Sequence, residues 1–141
     1  MGCQKLLQQM IGVTLVPLFL IWCGAPVATP VPKFGKLVGV LVETSTQKPI
    51  AAVRLQLTPI SRNAEGETTW HFDPNNPRAE TDESGNFSFS GVAPGEYSIW
   101  AHFTPTTFPS PIIDDSGHTL VFEVKADQVL NVGKVLVPPF P

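Results

Sequence analysis

The most informative stretch of the chain is Thr81-Asp-Glu-Ser-Gly-Asn-Phe-Ser-Phe-Ser-Gly-Val-Ala-Pro-Gly-Glu-Tyr-Ser-Ile99. Its Asp-Glu-Ser-Gly segment predicts a type I turn followed by a glycine in the left-handed region. The later Ala-Pro-Gly predicts a second turn, with proline early and glycine supplying a positive φ. Between the turns, Phe87 and Phe89 alternate with serine, which is the period-two pattern of a strand with one buried face. The stretch therefore predicts two successive strands joined by a tight turn.

Strand patterns continue on both sides of this stretch. Val53, Leu55 and Leu57 alternate with polar residues, and the run 37–42 is continuously apolar and valine-rich, as expected for a strand buried on both faces. No stretch after residue 35 has a helical period. The sequence predicts seven strands, at 37–42, 53–58, 78–81, 86–90, 97–103, 119–125 and 131–137. That number and spacing are typical of an all-β sandwich.

The composition limits the classes of function. The chain has 141 residues, a formal net charge of -3 and 15% charged residues. This length allows one domain of ordinary size and excludes a multidomain enzyme. The mild acidity and the small number of Lys and Arg argue against a nucleic-acid binder. The 15 prolines argue against a helical bundle, because proline breaks helix interiors.

The N-terminal residues have the pattern of an export signal. Lys5 precedes an apolar run at 11–22, and about 12 residues are too few to span a bilayer. The segment ends in Leu-Ile-Trp-Cys, which resembles a bacterial lipoprotein signal in which Cys23 is lipidated and becomes the new N-terminus. Trp22 stands where that pattern has a small residue. Ordinary cleavage after Ala25 and an uncleaved N-terminal anchor are the alternatives.

These patterns divide the chain into four parts. They are a signal at 1–23, a proline-rich tether at 24–35, a β-sandwich domain at 36–138 and a tail at 139–141. Both cysteines, Cys3 and Cys23, fall in the signal. The predicted domain therefore has no disulfide and relies on its hydrophobic core for stability.

Four segments of the domain carry a resemblance to a known family: Gly39-Val-Leu-Val-Glu-Thr-Ser-Thr-Gln-Lys-Pro-Ile-Ala-Ala-Val-Arg-Leu55, Thr81-Asp-Glu-Ser-Gly-Asn-Phe-Ser-Phe89, Val92-Ala-Pro-Gly-Glu-Tyr97 and Asn131-Val-Gly-Lys-Val-Leu-Val137. They resemble the opening, the middle and the final strand of the carboxypeptidase regulatory-like domain. The resemblance covers most of residues 36–137. It implies a transthyretin-like (prealbumin-like), seven-stranded antiparallel Greek-key sandwich, which would here follow a segment that resembles a bacterial lipoprotein signal.

The sequence offers no recognisable catalytic set. A metallocarboxypeptidase zinc site needs two His and a Glu at close spacing, which His71, His102 and His118 do not provide. No histidine is arranged with a Ser or Cys nucleophile in the sequence. We assign Asp82 and Asp114 to turn capping rather than to calcium, because Asp in turns bonds its own backbone. The sequence therefore predicts no catalytic residue, no metal site and no cofactor.

Pilin-like Cna B-type domains, which have a similar pattern, carry an internal Lys–Asn isopeptide bond assisted by an acid. Asn131 stands where the Asn of such a bond is expected. However, the Lys position falls near Leu41 and the acid position on Ala101. The sequence therefore does not predict this bond.

Candidate ligand contacts are Trp70, Trp100 and His102. Trp100 and His102 lie on the side of their strand opposite Tyr97 and Ile99, and Trp70 lies in a long polar loop at 61–77. An exposed Trp with polar neighbours stacks on a sugar ring or anchors a partner. The alternative is that both Trp side chains simply cover the other face or an edge of the sandwich.

We therefore expect a non-catalytic, exported accessory β-sandwich at the cell envelope, with a structural or adhesive, protein-interaction role. The alternative function is a carbohydrate-binding module that uses exposed Trp70 and Trp100. The expected partners are the membrane, through an N-terminal lipid or an uncleaved segment, and another envelope protein or a polysaccharide. No nucleic acid is expected.

Overall fold

The computed structural model describes residues 33–104 and 108–139. The predicted signal with Cys23, and the tether before residue 33, lie outside the described residues. Within the described ranges the chain forms nine strands and no helix. The strands are β1 (Gly35–Glu43), β2 (Arg54–Arg62), β3 (Thr68–Trp70), β4 (Arg78–Glu80), β5 (Asn86–Val92), β6 (Gly95–His102), β7 (Ser110–Pro111), β8 (Val121–Val124) and β9 (Val129–Val137).

The smaller sheet has the order β5-β1-β9. β1 is antiparallel to β5 and parallel to β9. The parallel pairing differs from the predicted antiparallel sandwich and follows from where β9 begins. The backbone N–H of Lys36 donates to the carbonyl of Gln128 at 2.8 Å, so β9 starts beside the start of β1 and runs in the same direction.

The strand predicted at 37–42 is buried mainly on one face. Leu37 and Leu41 are fully buried, whereas Val38 and Val40 are only half-buried. On the same face as Val38 and Val40, Val42 is 2% exposed, so the predicted burial on both faces is confirmed at Leu41 and Val42 and is only partial at Val38 and Val40.

The larger sheet has β2 and β6 at its centre, paired antiparallel. The remaining edge of each central strand pairs with two short strands, one near each end. β3 and β4 pair with opposite ends of β2, and β7 and β8 pair with opposite ends of β6.

Two of these short strands account for the difference from the seven predicted. β3 lies in the segment predicted as a polar loop, and its three residues pair with Ile60, Ser61 and Arg62. β7 has only two residues. Strands this short carry too few residues to show a period-two pattern, so they depend on pairing with a longer strand.

One hydrophobic core joins the two sheets. Phe87 and Phe89 from the smaller sheet and Tyr97 and Ile99 from the larger sheet belong to the same buried cluster. The Tyr97 hydroxyl donates to the carbonyl of Ala93 at 2.7 Å, and burial raises the pKa of Tyr97. The inward alternation predicted from the sequence is confirmed for these strands, and with it the all-β sandwich.

The turn at 82–85 has the predicted geometry. Gly85 has a φ of 74°, and a Cβ added there would lie 2.6 Å from the carbonyl oxygen of Leu41. One carboxylate oxygen of Asp82 accepts the backbone N–H groups of Ser84 and Asn86, each at 2.9 Å. This turn sets the direction in which β5 enters the core.

Candidate binding face on the larger sheet

The outer face of the larger sheet, turned away from the core, collects the predicted contact residues. On β6, Tyr97, Ile99 and Ala101 are buried in the core, so the alternation directs Trp100 and His102 outward. Both outward side chains are half-buried. The predicted orientation of this strand is therefore confirmed.

Strand register places polar side chains beside these two residues. Gln56 pairs with Trp100 on one side and with Arg78 on the other. Arg54 pairs with His102 on one side and with Glu80 on the other. Two rows therefore cross the face, each formed by one residue from β4, one from β2 and one from β6.

Three rings form an aromatic cluster on this face: Trp70, Phe72 and Trp100. The ring centroids of Phe72 and Trp100 are 4.7 Å apart, and those of Trp70 and Trp100 are 6.2 Å apart. Both pairs are edge-to-face with interplanar angles of 80°, an arrangement that aromatic quadrupoles favour. Trp70 and Phe72 keep 38% and 53% of their surface exposed.

Hydrogen bonds from the β3–β4 connection hold it against this face. The backbone N–H of His71 donates to the carbonyl of Pro59 at 2.9 Å, and the Gln56 side chain donates to the carbonyl of Asp73 at 3.2 Å. The indole N–H of Trp100 donates to the Ser98 hydroxyl at 2.9 Å. These bonds fix the orientation of Trp100 and the position of the segment that carries Phe72.

Polar side chains are buried beneath the cluster. Thr58 and Ser98 pair across β2 and β6 and are both fully buried. Among the described residues, the Thr58 hydroxyl has no hydrogen-bond partner. A buried polar atom without a partner costs about 1–3 kcal/mol.

A cleft of about 370 Å³, a size within the usual range of small-ligand sites, is lined in part by Gln56, the register partner of Trp100, and by none of the three rings. Its polar lining consists of Arg54, Gln56, Arg78, Glu80 and His102. In the described part of the chain neither arginine side chain has an ion-pair partner, although Glu80 also lines the cleft. Partial burial, and then the positive charges of Arg78 and Arg54, hold the pKa of His102 below its usual value.

The structure also brings together a pair that the sequence did not reveal. The Ser61 hydroxyl lies 2.8 Å from Nε2 of His71, although ten residues separate them in the chain. Both side chains are exposed. A Ser–His pair becomes a nucleophile when a third group orients the histidine, and no described residue makes that contact with His71.

The acidic turns behave as predicted. Asp114 accepts the backbone N–H groups of Ser116 and His118 at 2.8 and 2.9 Å, as Asp82 does in its own turn. The bond from His118 is the largest cause of the lowered pKa of Asp114, and bonds from Asn86 lower the pKa of Asp82. Across residues 33–104 and 108–139, no group of three His, Cys, Asp or Glu side chains is placed to hold a metal ion.

Asn131 is also accounted for by a local contact. Its side chain is exposed, and its side-chain amide oxygen accepts a hydrogen bond from the backbone N–H of Gly133 at 2.9 Å. This bond accompanies the irregular register between β1 and β9 at Val38 and Val40.

Comparisons with known proteins match the architecture at low similarity. No family model and no curated protein matches the chain. Solved structures that are similar include the major pilin subunit BcpA of Bacillus cereus, with 11% identity and a TM-score of 0.48 over 77% of this chain and 31% of the pilin. The minor pilin GBS52 of Streptococcus agalactiae has 20% identity and a TM-score of 0.46 over 79% of this chain and 48% of that protein.

A 9R-lipoxygenase from Cyanothece is a similar structure as well, with 16% identity and a TM-score of 0.45 over 82% of this chain and 18% of the enzyme. This chain thus spans less than half the length of each of the three proteins. At such values the likeness concerns the fold alone. The similar structures include both pilins and an enzyme, so the similarity indicates no function.

The described ranges contain no helix with the length and apolar character of a membrane span. Cys23, the predicted lipidation site, lies outside those ranges. Its modification stays a prediction.

Proposed function

We propose that this chain is a non-catalytic, exported accessory β-sandwich of the cell envelope, with a structural or adhesive role that it performs by binding another envelope molecule. The export signal and the proline-rich tether in the sequence support the location. The resemblance of residues 36–137 to the carboxypeptidase regulatory-like domain supports an accessory role. The proposal includes membrane attachment through a lipid on Cys23, or through an uncleaved segment.

The observation that carries the proposal is the aromatic cluster on the outer face of the larger sheet. Large aromatic side chains usually bury most of their surface, yet Trp70 and Phe72 remain 38% and 53% exposed while held in ring contact with Trp100. Exposed aromatic rings in a fixed arrangement are enriched at binding surfaces, because they bury a large area at little entropic cost.

One observation favours a second candidate, a carbohydrate-binding module. Trp70 and Trp100 are 30 residues apart in the sequence but have their rings 6.2 Å apart in the fold. Saccharide rings stack on indole and phenyl faces, and polar groups beside those faces orient the sugar. The cluster and the adjoining row of Gln56 and Arg78 offer both features.

Retention on isolated cell envelopes of the native host tests the proposal. We expect Phe72→Ala to reduce retention about tenfold, the effect of losing roughly 1.4 kcal/mol of binding energy. The matched control is Phe34→Ala, because Phe34 is 52% exposed, directly precedes β1 of the smaller sheet and takes no part in the aromatic cluster. Equal retention of the two variants, with circular dichroism showing both folded, would contradict a role for this face.

Treatment of the envelopes separates the two candidate functions. Loss of retention after protease treatment supports the protein-interaction role. Loss after periodate oxidation of glycans supports the carbohydrate-binding role. Mass spectrometry of the mature protein tests the attachment, since lipidated Cys23 at the new N-terminus and a chain starting after Ala25 have different masses.

A further inference from the structure

The cleft beside the aromatic cluster has an excess of positive charge in a chain that is negative overall. Arg54 and Arg78 contribute two cations against the single carboxylate of Glu80, whereas the chain carries a net charge of -3. The cation side chains are exposed and, in the described residues, not ion-paired. A local reversal of sign in a cleft attracts a ligand of the opposite charge.

The two arginines are suited to oxyanions, among them carboxylates. The planar guanidinium group binds a carboxylate through two parallel N–H···O bonds, which sets the orientation of the ligand as well as its charge. The excess of one positive charge in the cleft matches one carboxylate.

The spacing of the face relates this charge to the aromatic rings. Residues two apart on one face of a strand are separated by about 7 Å. Arg54 is two residues from Gln56 on β2, and His102 is two residues from Trp100 on β6. The row of Glu80, Arg54 and His102 is therefore about 7 Å from the row of Arg78, Gln56 and Trp100, a separation comparable to one sugar ring, and the two arginines lie diagonal to each other in neighbouring rows.

We propose that the outer face of the larger sheet binds a uronic acid unit of an acidic polysaccharide. The sugar ring lies against the aromatic cluster, and its carboxylate is bound by Arg54 and Arg78 in the cleft. This inference rests on the carbohydrate-binding candidate and deepens it by naming the class of saccharide. An acidic peptide has the same carboxylate but lacks a rigid ring joined to it at this distance.

His102 makes the binding depend on pH. The groups that face it are Arg54 from β2 and Arg78 and Glu80 from β4. A bound carboxylate offsets the two arginines, which favours protonation of His102, so binding takes up a proton. The affinity therefore rises as the pH falls from about 7.5 to about 5.5, where a uronate with a carboxyl-type pKa near 4 remains ionised.

Titration calorimetry of the domain with soluble uronate oligomers tests the proposal. The probes are oligomers of polygalacturonate, of alginate and of a glucuronate-containing glycosaminoglycan, in 150 mM salt to screen long-range attraction. The matched neutral probe is the methyl ester of the same galacturonate oligomer. We expect at least one uronate to bind, and its methyl ester to bind at least about tenfold more weakly, as for the loss of a charge-assisted pair.

The variants Arg54→Gln and Arg78→Gln are each expected to raise the dissociation constant about tenfold, as for the loss of a hydrogen bond to a charged group. The matched control is Arg62→Gln, because Arg62 is on the same strand eight residues from Arg54, roughly 27 Å along it. Arg62 already pairs with Glu96 at 3.4 Å, and its replacement is expected to leave the affinity within about twofold.

Several results overturn the proposal. Absence of binding to all three uronates does so, and so does equal binding of the methyl ester. Equal binding of dextran sulfate, or equal weakening by Arg62→Gln, shows general attraction to polyanions instead. If the ester binds equally and Phe72→Ala abolishes its binding, the carbohydrate-binding function stands and only the acidic specificity fails. Binding of a poly-glutamate peptide without any uronate supports a protein partner and overturns the inference.

Discussion

The two sheets share one core but present different outer faces. The smaller sheet presents Val38, Val40 and Ser88, together with Asn86 and Asn131, along a cleft of about 490 Å³ whose edge also includes Ala79 and Glu80 of β4. The larger sheet presents three aromatic rings and two arginines. The outward residues of both sheets lie outside the shared core, although Thr58 and Ser98 are buried on the outer face of the larger sheet. The difference between the faces therefore reports on what contacts them rather than on what folds the chain.

The loops strengthen this contrast. The connection from β3 to β4 is hydrogen-bonded to Pro59 and Gln56 of the larger sheet and covers polar side chains there. Beneath it, Thr58 is buried without a hydrogen-bond partner among the described residues. The central strand of the smaller sheet keeps its outward valines half-buried instead. A face that carries both exposed rings and a buried unpaired hydroxyl departs from the arrangement that stability favours.

The largest expected effect comes from a change in the hydrophobic core that the two sheets share. Phe89→Ala deletes a ring that is 1% exposed in the shared core, at an expected cost of about 3–5 kcal/mol in the free energy of unfolding. Ser88→Ala is the matched control, because Ser88 is the adjacent residue on the outer face of β5 and its replacement costs within about 0.5 kcal/mol. Urea unfolding measures both. Similar costs for the two variants would mean that β5 does not divide into a core face and a free face.

A smaller effect tests whether the rings act as one unit. The double-mutant cycle of Phe72→Ala with Trp100→Ala is expected to give a coupling energy of about 0.5–1.5 kcal/mol, the range for edge-to-face aromatic pairs. The control cycle of Phe34→Ala with Trp100→Ala is expected to give a coupling near zero. A coupling no larger than that of the control would show that the cluster does not hold together in solution.

The smallest expected effect concerns pH. His102 has a lowered pKa in the folded state, first because of burial and then because of Arg78 and Arg54, so the unfolded state binds the proton more readily. Stability is therefore complete above the unfolded value near 6.5 and falls as the pH drops from there toward the lower folded value. His102→Gln is expected to flatten the melting temperature between pH 7.5 and 5.5, as measured by thermal unfolding. An unchanged pH slope would show that neither burial nor the two arginines lower the pKa of His102 in solution.

Much of the fold could be predicted because apolar and polar residues alternate along each strand, and this alternation indicates which side chains face the core. The inward positions of Val53, Leu55 and Leu57, and of Phe87 and Phe89, are all buried in the structure. The Asp82 turn could be predicted because its hydrogen bonds join residues no more than four apart. The parallel pairing of β1 with β9 could not, because it depends on a register between segments more than 90 residues apart.

Only some residues of the candidate site could be predicted, because the others reach it through pairing between strands that are distant in the sequence. Trp70, Trp100 and His102 could be singled out by residue type and strand parity. Their neighbours Arg54 and Arg78 reach the site through pairings across β2, β4 and β6, which no local pattern contains. One signal was present in the sequence, since the alternation that directs Val53 inward also directs Arg54 outward.

The pairing of the first and last strands has a mechanical consequence. β1 and β9 run in the same direction, so the start of β1 at Gly35 and the C-terminal end of β9 at Val137 lie at opposite ends of one hydrogen-bonded ladder. A pulling force applied between those two ends loads the ladder in shear. Its bonds then resist together rather than breaking one after another, as they would if peeled from one end. Tension applied between Gly35 and Val137 therefore meets this ladder in its stronger direction.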